Sequence, residues 1–367
     1  MYIERDTHPA PVLGLYVEEY AQAYYRLSVP LKAAFGAENV AVTAYSATTQ
    51  EQRDAAKLVV TSRVQTHDNE PISQTKRLLD MIREGGRRRV LVDQDDDLSP
   101  WKYEQKIRLE AMLRYSDGVV CTNTTLAGRL RSYNPNVTIV PNYLDMTRWP
   151  VSAPQPITDK PVLLMTGGAS HYQDWQMVVS ALKAHQGRYR LRVVGFCPDY
   201  LEPFVTERSP WIPDLKSYAP ALAGAHIALC PLPHTAFNTC KSPIKLYETA
   251  LAGCAVIGSP TQYGPVMREA GQNENVAVFG RHWAERIGYY LDHPEQITAD
   301  ATALQRHIAT TRDVARHADT IRQAYGGNDV LDNRNPHRRV EEQPLRAGRG
   351  RDRDGGHGRR GAVRNHV

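Results

Sequence analysis

The sequence predicts an α/β protein of two domains, each built on an open parallel sheet, joined by a linker and facing one another across a cleft. Three observations predict it. Short β-branched runs alternate with helical patterns along most of the 367 residues, the way βα units around parallel sheets are written. That alternation is interrupted once, by a proline-rich stretch near the middle. Length and a 41% hydrophobic content suffice to give each half its own core.

In the first half the expected strands are VLGLYV (12–17), VAVTAY (40–45), KLVVTSRV (57–64), RVLVD (89–93), GVVCT (118–122) and VTIVP (137–141). The clearest helices between them are ISQTKRLLDMIREGG and WKYEQKIRLEAMLRYSDG, each ending at or near glycine. PNYLDMTRWPVSAPQPITDKP (141–161) holds five prolines and little apolar periodicity, the composition of an interdomain linker. A second series follows: strands in PVLLMTGG, RLRVVGF, HIALCPL, CAVIGS and a short VAVF, with helices in DWQMVVSALKAH, DLKSYAPALAG and SPIKLYETALAG, then one long polar helical pattern from Pro294 to Tyr325. The expected organisation is a first domain at 1–145, a linker at 146–160, a second domain at 161–325 and a tail at 326–367. Ligands of open α/β sheets bind at the carboxyl ends of the strands, so the cleft is the expected site.

The tail reads as disordered, being rich in Arg, Gly and Asp with few large apolar residues. Its ten Arg and six acids place +4 of the formal +5 there, leaving a nearly neutral body that offers no strong nucleic-acid groove. The tail itself reads either as a weak nucleic-acid-attracting arm or as a solvated extension. The five cysteines (Cys121, Cys197, Cys230, Cys240, Cys254) are odd in number and contain no CxxC, so they read as buried thiols and not as disulfides or a zinc site. The amino terminus lacks a signal pattern and no apolar run approaches the roughly 18 residues of a membrane span. A soluble, cytoplasmic protein is expected.

Chemistry concentrates in HIALCPLPHTAFNTCKSPIKLYETALAGCAVIGSPTQY (226–263). A buried strand empties into a loop with Asn238, Lys241 and Ser242, and a helix follows with Lys245 and Glu248. A helix start with unpaired N–H groups, a positive dipole end and lysines suits a diphosphate. Helical spacing places Lys241, Lys245 and Glu248 on one face, with a carboxylate where a ribose would offer hydroxyls. An amphipathic helix with ordinary surface charges is the competing reading.

Several stations, in order, resemble a known family: LGLY…YRLSVPL, VDQDDDL, VVCTNTTLAGRL, IVPNYLD, MTGGASHYQDW, RLRVVG and FNTCKSPIKLYETALAGCAVIGS. Together they look like retaining glycosyltransferases of the two-Rossmann-domain (GT-B) architecture, glycosyltransferase family 4-like, in a bacterial and phage branch. The resemblance covers about residues 12–325. It implies a nucleotide-diphosphate sugar as co-substrate and no other cofactor, with transfer to a hydroxyl acceptor with retention. The donor contacts expected on this reading come from Gly167, Gly168, Asn238, Lys241, Ser242, Lys245 and Glu248, and the expected catalytic residues are His171, Lys245 and Glu248. Lysines and helix amides would stabilise the leaving diphosphate, so no metal is required. The acceptor is open: a glycan, a lipid head group, a protein or a modified nucleic-acid base. Candidate bases are His67 and His171.

Two departures from the family pattern matter. The family carries a Glu-x7-Glu pair; the second acid is Glu248, but Cys240 stands at the first. The Arg and Lys that follow the glycine turn are missing from MTGGASHYQDW, where His171 and Asp174 stand. A non-catalytic nucleotide-sugar-binding or scaffold protein of the same fold is therefore the alternative.

The carboxylates of VLVDQDDDLSP (90–100) allow other readings. Asp93 and Asp95 could be nucleophile and acid/base of a magnesium-dependent haloacid-dehalogenase-type phosphatase, although Asp97 stands where that family wants Thr. A metal-holding DxD of a single-domain glycosyltransferase is another. Within the two-domain reading, the cluster either forms an acceptor-side lip, with Asp93, Asp95 and Asp96 bonding sugar or polyol hydroxyls and His67 a further acceptor-side residue, or caps the helix starting near Trp101 through Asp97 or Ser99.

Overall fold

The computed structural model describes residues 5–17, 21–62, 72–84, 87–99 and 101–331; His67 and the tail beyond 331 lie outside the described residues. Eleven strands are found among them, in two sheets whose neighbours all pair in parallel. The first holds β1 (Val12–Tyr16), β2 (Val40–Ala44), β3 (Leu58–Ser62), β4 (Arg89–Asp93), β5 (Gly118–Cys121) and β6 (Val137–Ile139), in the order β2-β1-β3-β4-β5-β6. The second holds β7 (Val162–Gly167), β8 (Arg190–Gly195), β9 (Glu207–Ser209), β10 (Ile227–Cys230) and β11 (Ala255–Gly258), in the order β11-β10-β7-β8-β9. This is the expected doubly wound α/β architecture, twice over.

The strands form where the sequence is apolar on both faces. Every residue of β1, β2, β3, β5, β10 and β11 is buried, as a parallel sheet covered by helices on both sides requires. One apolar cluster is continuous between the two sheets, running from Val12, Val42 and Val60 to Leu164, Cys230 and Val256. Separate clusters lie on the outer faces, one under the first sheet's helices and one under the second's. All five cysteines are free and buried.

Four expectations are corrected. VAVF is not a strand: Val276 makes a single isolated bridge to Gly258. The polar edge strand β9 was not foreseen. The helix expected near Trp101 spans Tyr103–Tyr115 with Lys102 at its N-cap and no side-chain cap. Asp97 instead meets Arg129 at 2.6 Å. The long pattern 294–325 breaks after Thr311: a helix Pro294–Thr311 is followed by a 3-10 turn and a second helix, Ala318–Ala324.

That break carries the chain back to the first sheet. Leu144 and Asp313 form a bridge, with Leu144 N donating to Arg312 O at 2.8 Å and Val314 N to Leu144 O at 2.9 Å. The helix Ala318–Ala324 then packs on Val29–Phe35, and Arg89 donates to the carbonyl of Tyr325 at 3.1 Å. Residues expected to open the tail close the core instead: Gly327–Val330 form a 3-10 turn with Val330 buried.

Candidate functional site

The carboxyl end of β7 is a glycine turn that tolerates no side chain. Gly167 has φ +154°, and a Cβ there would stand 2.8 Å from His171 Cδ2 and 3.1 Å from Lys245 Nζ. At the neighbouring end of β8, Gly195 (φ +104°) would bring a Cβ to 2.3 Å from the carbonyl of Gly167. Two adjacent strand ends therefore dispense with side chains, letting backbone and a ligand approach closely.

His171 and Lys245 both reach this turn. His171 follows it in a 3-10 turn, Ala169–His171. Lys245 comes from the first turn of the helix Ile244–Leu251, where Leu246 N and Tyr247 N already donate to the carbonyl of Pro243 at 3.0 and 3.4 Å, so the amides of Ile244 and Lys245 are the ones that precede the first backbone bond. Lys245 is partly exposed as a residue, yet burial of its ammonium pushes its pKa below the usual lysine range. The nearby Lys245 charge, with burial second, lowers His171 to about 4, so the imidazole is neutral. Its Nδ1 lies 2.7 Å from Asp174 Oδ2. Asn238 donates to the other carboxylate oxygen at 3.4 Å and to the carbonyl of Pro233 at 3.1 Å.

Glu248 is one helical turn beyond Lys245 and almost fully buried. Its oxygens accept from Tyr25 at 2.7 Å and from Tyr218 at 3.1 Å. Burial raises it to about 7, against the opposing pull of both hydroxyls and of Lys245. Lys241 is not on the helical face with Lys245 and Glu248, because the helix begins only at Ile244. It sits in the preceding loop, 3.3 Å from Asp96 of the first half. Ser242 accepts from Asn142 at 2.8 Å.

The acidic stretch divides. Asp93 does not belong to an acceptor-side lip: it is fully buried and bound by Arg26 at 3.0 and 2.8 Å. Burial opposes a charged Arg26, but Asp93 outweighs it and raises its pKa. The same guanidinium donates to Val140 O and to Asn142 Oδ1. An aspartate so engaged is not available as a phosphatase nucleophile, which removes that alternative. Asp95 accepts from Gln22 at 3.0 Å, and Asp96 through Lys241 reaches the loop before the Ile244–Leu251 helix. Cys240, at the position of the missing first acid, is fully buried in the core beneath the first sheet's helices. The carbonyl of Cys240 accepts from Asn123 at 2.8 Å, and Asn123 also caps the helix Thr124–Leu130.

Beside the glycine turn opens a cleft of about 630 Å³, lined by Gly168, Ala169, Gly195, Phe196, Arg208 and Trp211 among others. Trp211 is 57% exposed, an unusual state for so large an apolar ring. A Cβ on Gly168 would stand 3.8 Å from that ring. Sequence reasoning foresaw the glycine turn and the helix. It missed Tyr25, Tyr218, Arg26 and Asn142, whose partners lie far away along the chain, and it missed Trp211.

Residues 173–323 match the model of a family described as glycosyl transferase-like. The match to this glycosyl transferase-like family takes in Asp174, the Lys245–Glu248 helix and most of the second sheet. No curated protein matches the chain. Among solved structures the chain is similar to Anabaena HepE in complex with UDP and glucose, at 11% identity and TM-score 0.61, over 86% of this chain and 98% of that one. It is similar to an alpha-glucosyltransferase in complex with UDP and a 13-mer DNA, at 11% identity and TM-score 0.56, over 84% and 99%. It is also similar to S. aureus TarM in complex with UDP and alpha-GlcNAc-glycerol, at 9% identity and TM-score 0.53. There it covers 74% of this chain but 56% of that one, so the chain spans little more than half of TarM. At these identities the likeness shows the fold, which is GT-B-like. No helix among the described residues is long and apolar enough to cross a membrane.

Proposed function

We propose that the protein is a glycosyltransferase that moves a sugar from a nucleotide-diphosphate donor to a hydroxyl acceptor, with retention of configuration. The observation that carries this reading is the convergence of Lys245, His171 and the start of a helix on the glycine turn at the end of β7. The matched family and the fold support it, as does the presence of UDP in the solved relatives.

In this reading the nucleobase occupies the cleft beside Phe196 and Trp211, and the diphosphate crosses Gly167 and Gly168 toward Lys245, Ser242 and the helix amides. As the sugar–oxygen bond breaks, negative charge builds on the diphosphate, where a fixed cation in a partly dry site acts strongly. The acceptor hydroxyl approaches from the side of Asp95 and Asp96. Glu248 serves the ribose hydroxyls as an acceptor, in place of one of the two tyrosines that hold it. The acceptor itself is a glycan, a lipid head group, a protein or a modified base.

A donor-binding protein without turnover is the second reading, favoured by one observation: the first acid of the pair is replaced by Cys240, and that position points into the core. Assays of nucleotide release from a panel of UDP-, GDP- and ADP-sugars, with and without candidate acceptors, separate the two. The transferase reading expects acceptor-dependent release that Lys245→Ala abolishes. Binding of a donor with no release under any condition contradicts it.

A further inference from the structure

We propose that His171 takes up a proton when the donor binds, becoming the second cation on the diphosphate, and that Asp174 is the positioning residue that makes this possible. The inference rests on the donor site described above and adds a proton to it.

An esterified diphosphate carries two negative charges, and the glycine turn meets them with few cations. Lys245 is one. Lys241 is already 3.3 Å from Asp96, and no arginine or lysine follows the turn in the sequence MTGGASHYQDW. His171 stands in that position with its Cδ2 edge against Gly167. The Cδ2 edge is shared with Nε2, so the ring nitrogen nearest the turn is Nε2.

Asp174 fixes which nitrogen carries the proton. Its Oδ2 lies 2.7 Å from Nδ1, and its Oδ1 is held by Asn238. A carboxylate can only accept, so Nδ1 is the protonated nitrogen of the neutral ring and Nε2 carries the lone pair. In the free protein Lys245 keeps the ring neutral, with burial as a lesser cause. A lone pair has nothing to offer an anionic oxygen.

A diphosphate on the turn reverses the balance. The charged groups facing His171 are Asp174 behind it and Lys245 and Lys241 across the turn. Two added negative charges offset both lysines, and with Asp174 they make the imidazolium the favoured form. The buffer acid in the solvent gives up the proton and becomes its conjugate base, the proton binds to Nε2, and Nε2–H donates a hydrogen bond to a diphosphate oxygen. Nδ1–H stays with Asp174.

The test is calorimetric titration at pH 6 in buffers of different ionisation enthalpy, with UDP-glucose as first probe and GDP- and ADP-glucose as further ones. An esterified diphosphate has no titratable proton in this range, so any linked proton belongs to the protein. Wild type should take up about one proton more than His171→Gln, a difference that cancels any contribution of Glu248. Asp174→Asn, whose amide oxygen still accepts Nδ1–H, should fold and bind but show a reduced uptake. On wild type alone, the nitrogen resonances of the His171 ring should change from neutral to imidazolium on adding the probe, which covers the case of a variant that fails to fold. Equal proton uptake by wild type and His171→Gln, with both binding, overturns the inference and leaves the donor site standing. Absence of binding of every probe to wild type overturns both.

Discussion

Glu248 shows what burial does to one carboxylate. Its value of about 7 against an ordinary 4.5 means that the folded protein holds the proton more tightly than the unfolded chain. For an acid raised in this way, folding is favoured most below the unfolded value. The advantage is lost as pH rises from about 4.5 to about 7. Glu248→Gln removes the titration. Its stability relative to wild type should rise between pH 5 and pH 8, by a few kcal/mol at most given about 1.4 kcal/mol per unit. Urea midpoints across that range check it; parallel curves for the two proteins would contradict it. The helix and its charges were legible in KSPIKLYE. The tyrosines were not, because Tyr25 is 223 positions from Glu248 along the chain, and no local pattern encodes such a contact.

At the scale of elements, the acidic end of β4 proves to be a structural anchor for the loop that precedes the Ile244–Leu251 helix. Asp93 fixes Arg26, Arg26 donates to Asn142, and Asn142 donates to Ser242. The chain of contacts ties the first sheet to the start of the Ile244–Leu251 helix. Asp93→Asn leaves a buried guanidinium without its charge partner, which should cost about 3–5 kcal/mol. Denaturant unfolding checks it, and a loss under about 1 kcal/mol would show that the pair is not structural. From sequence, four aspartates in five positions suggest a binding surface; that one of them neutralises an arginine 67 positions earlier is a tertiary fact. The buried strands were legible for the opposite reason. A run apolar on both faces has few alternatives to a parallel sheet, whereas the three polar residues of β9 carry no such signal.

For the molecule as a whole, two parallel sheets of six and five strands share one apolar core and bring their carboxyl ends to one region. The repeat of the βα series made that architecture readable. What it did not reveal is the closing crossover: after Arg312 the chain leaves the second sheet and returns to pack on Val29–Phe35. Val314, Ile321 and Tyr325 are buried there. In the sequence they are three apolar positions within a polar helical pattern, and only the apolar face they cover explains them. The central claim for this molecule is that a nucleotide sugar binds with its diphosphate between the Gly167–Gly168 turn and the helix carrying Lys245 and Glu248. Its most direct test is calorimetry of wild type, Lys245→Ala and Glu248→Ala against UDP-, GDP- and ADP-sugars. A donor that binds wild type and is weakened at least tenfold, about 1.4 kcal/mol, by either substitution is the predicted result. Unchanged affinity in both variants would contradict the account.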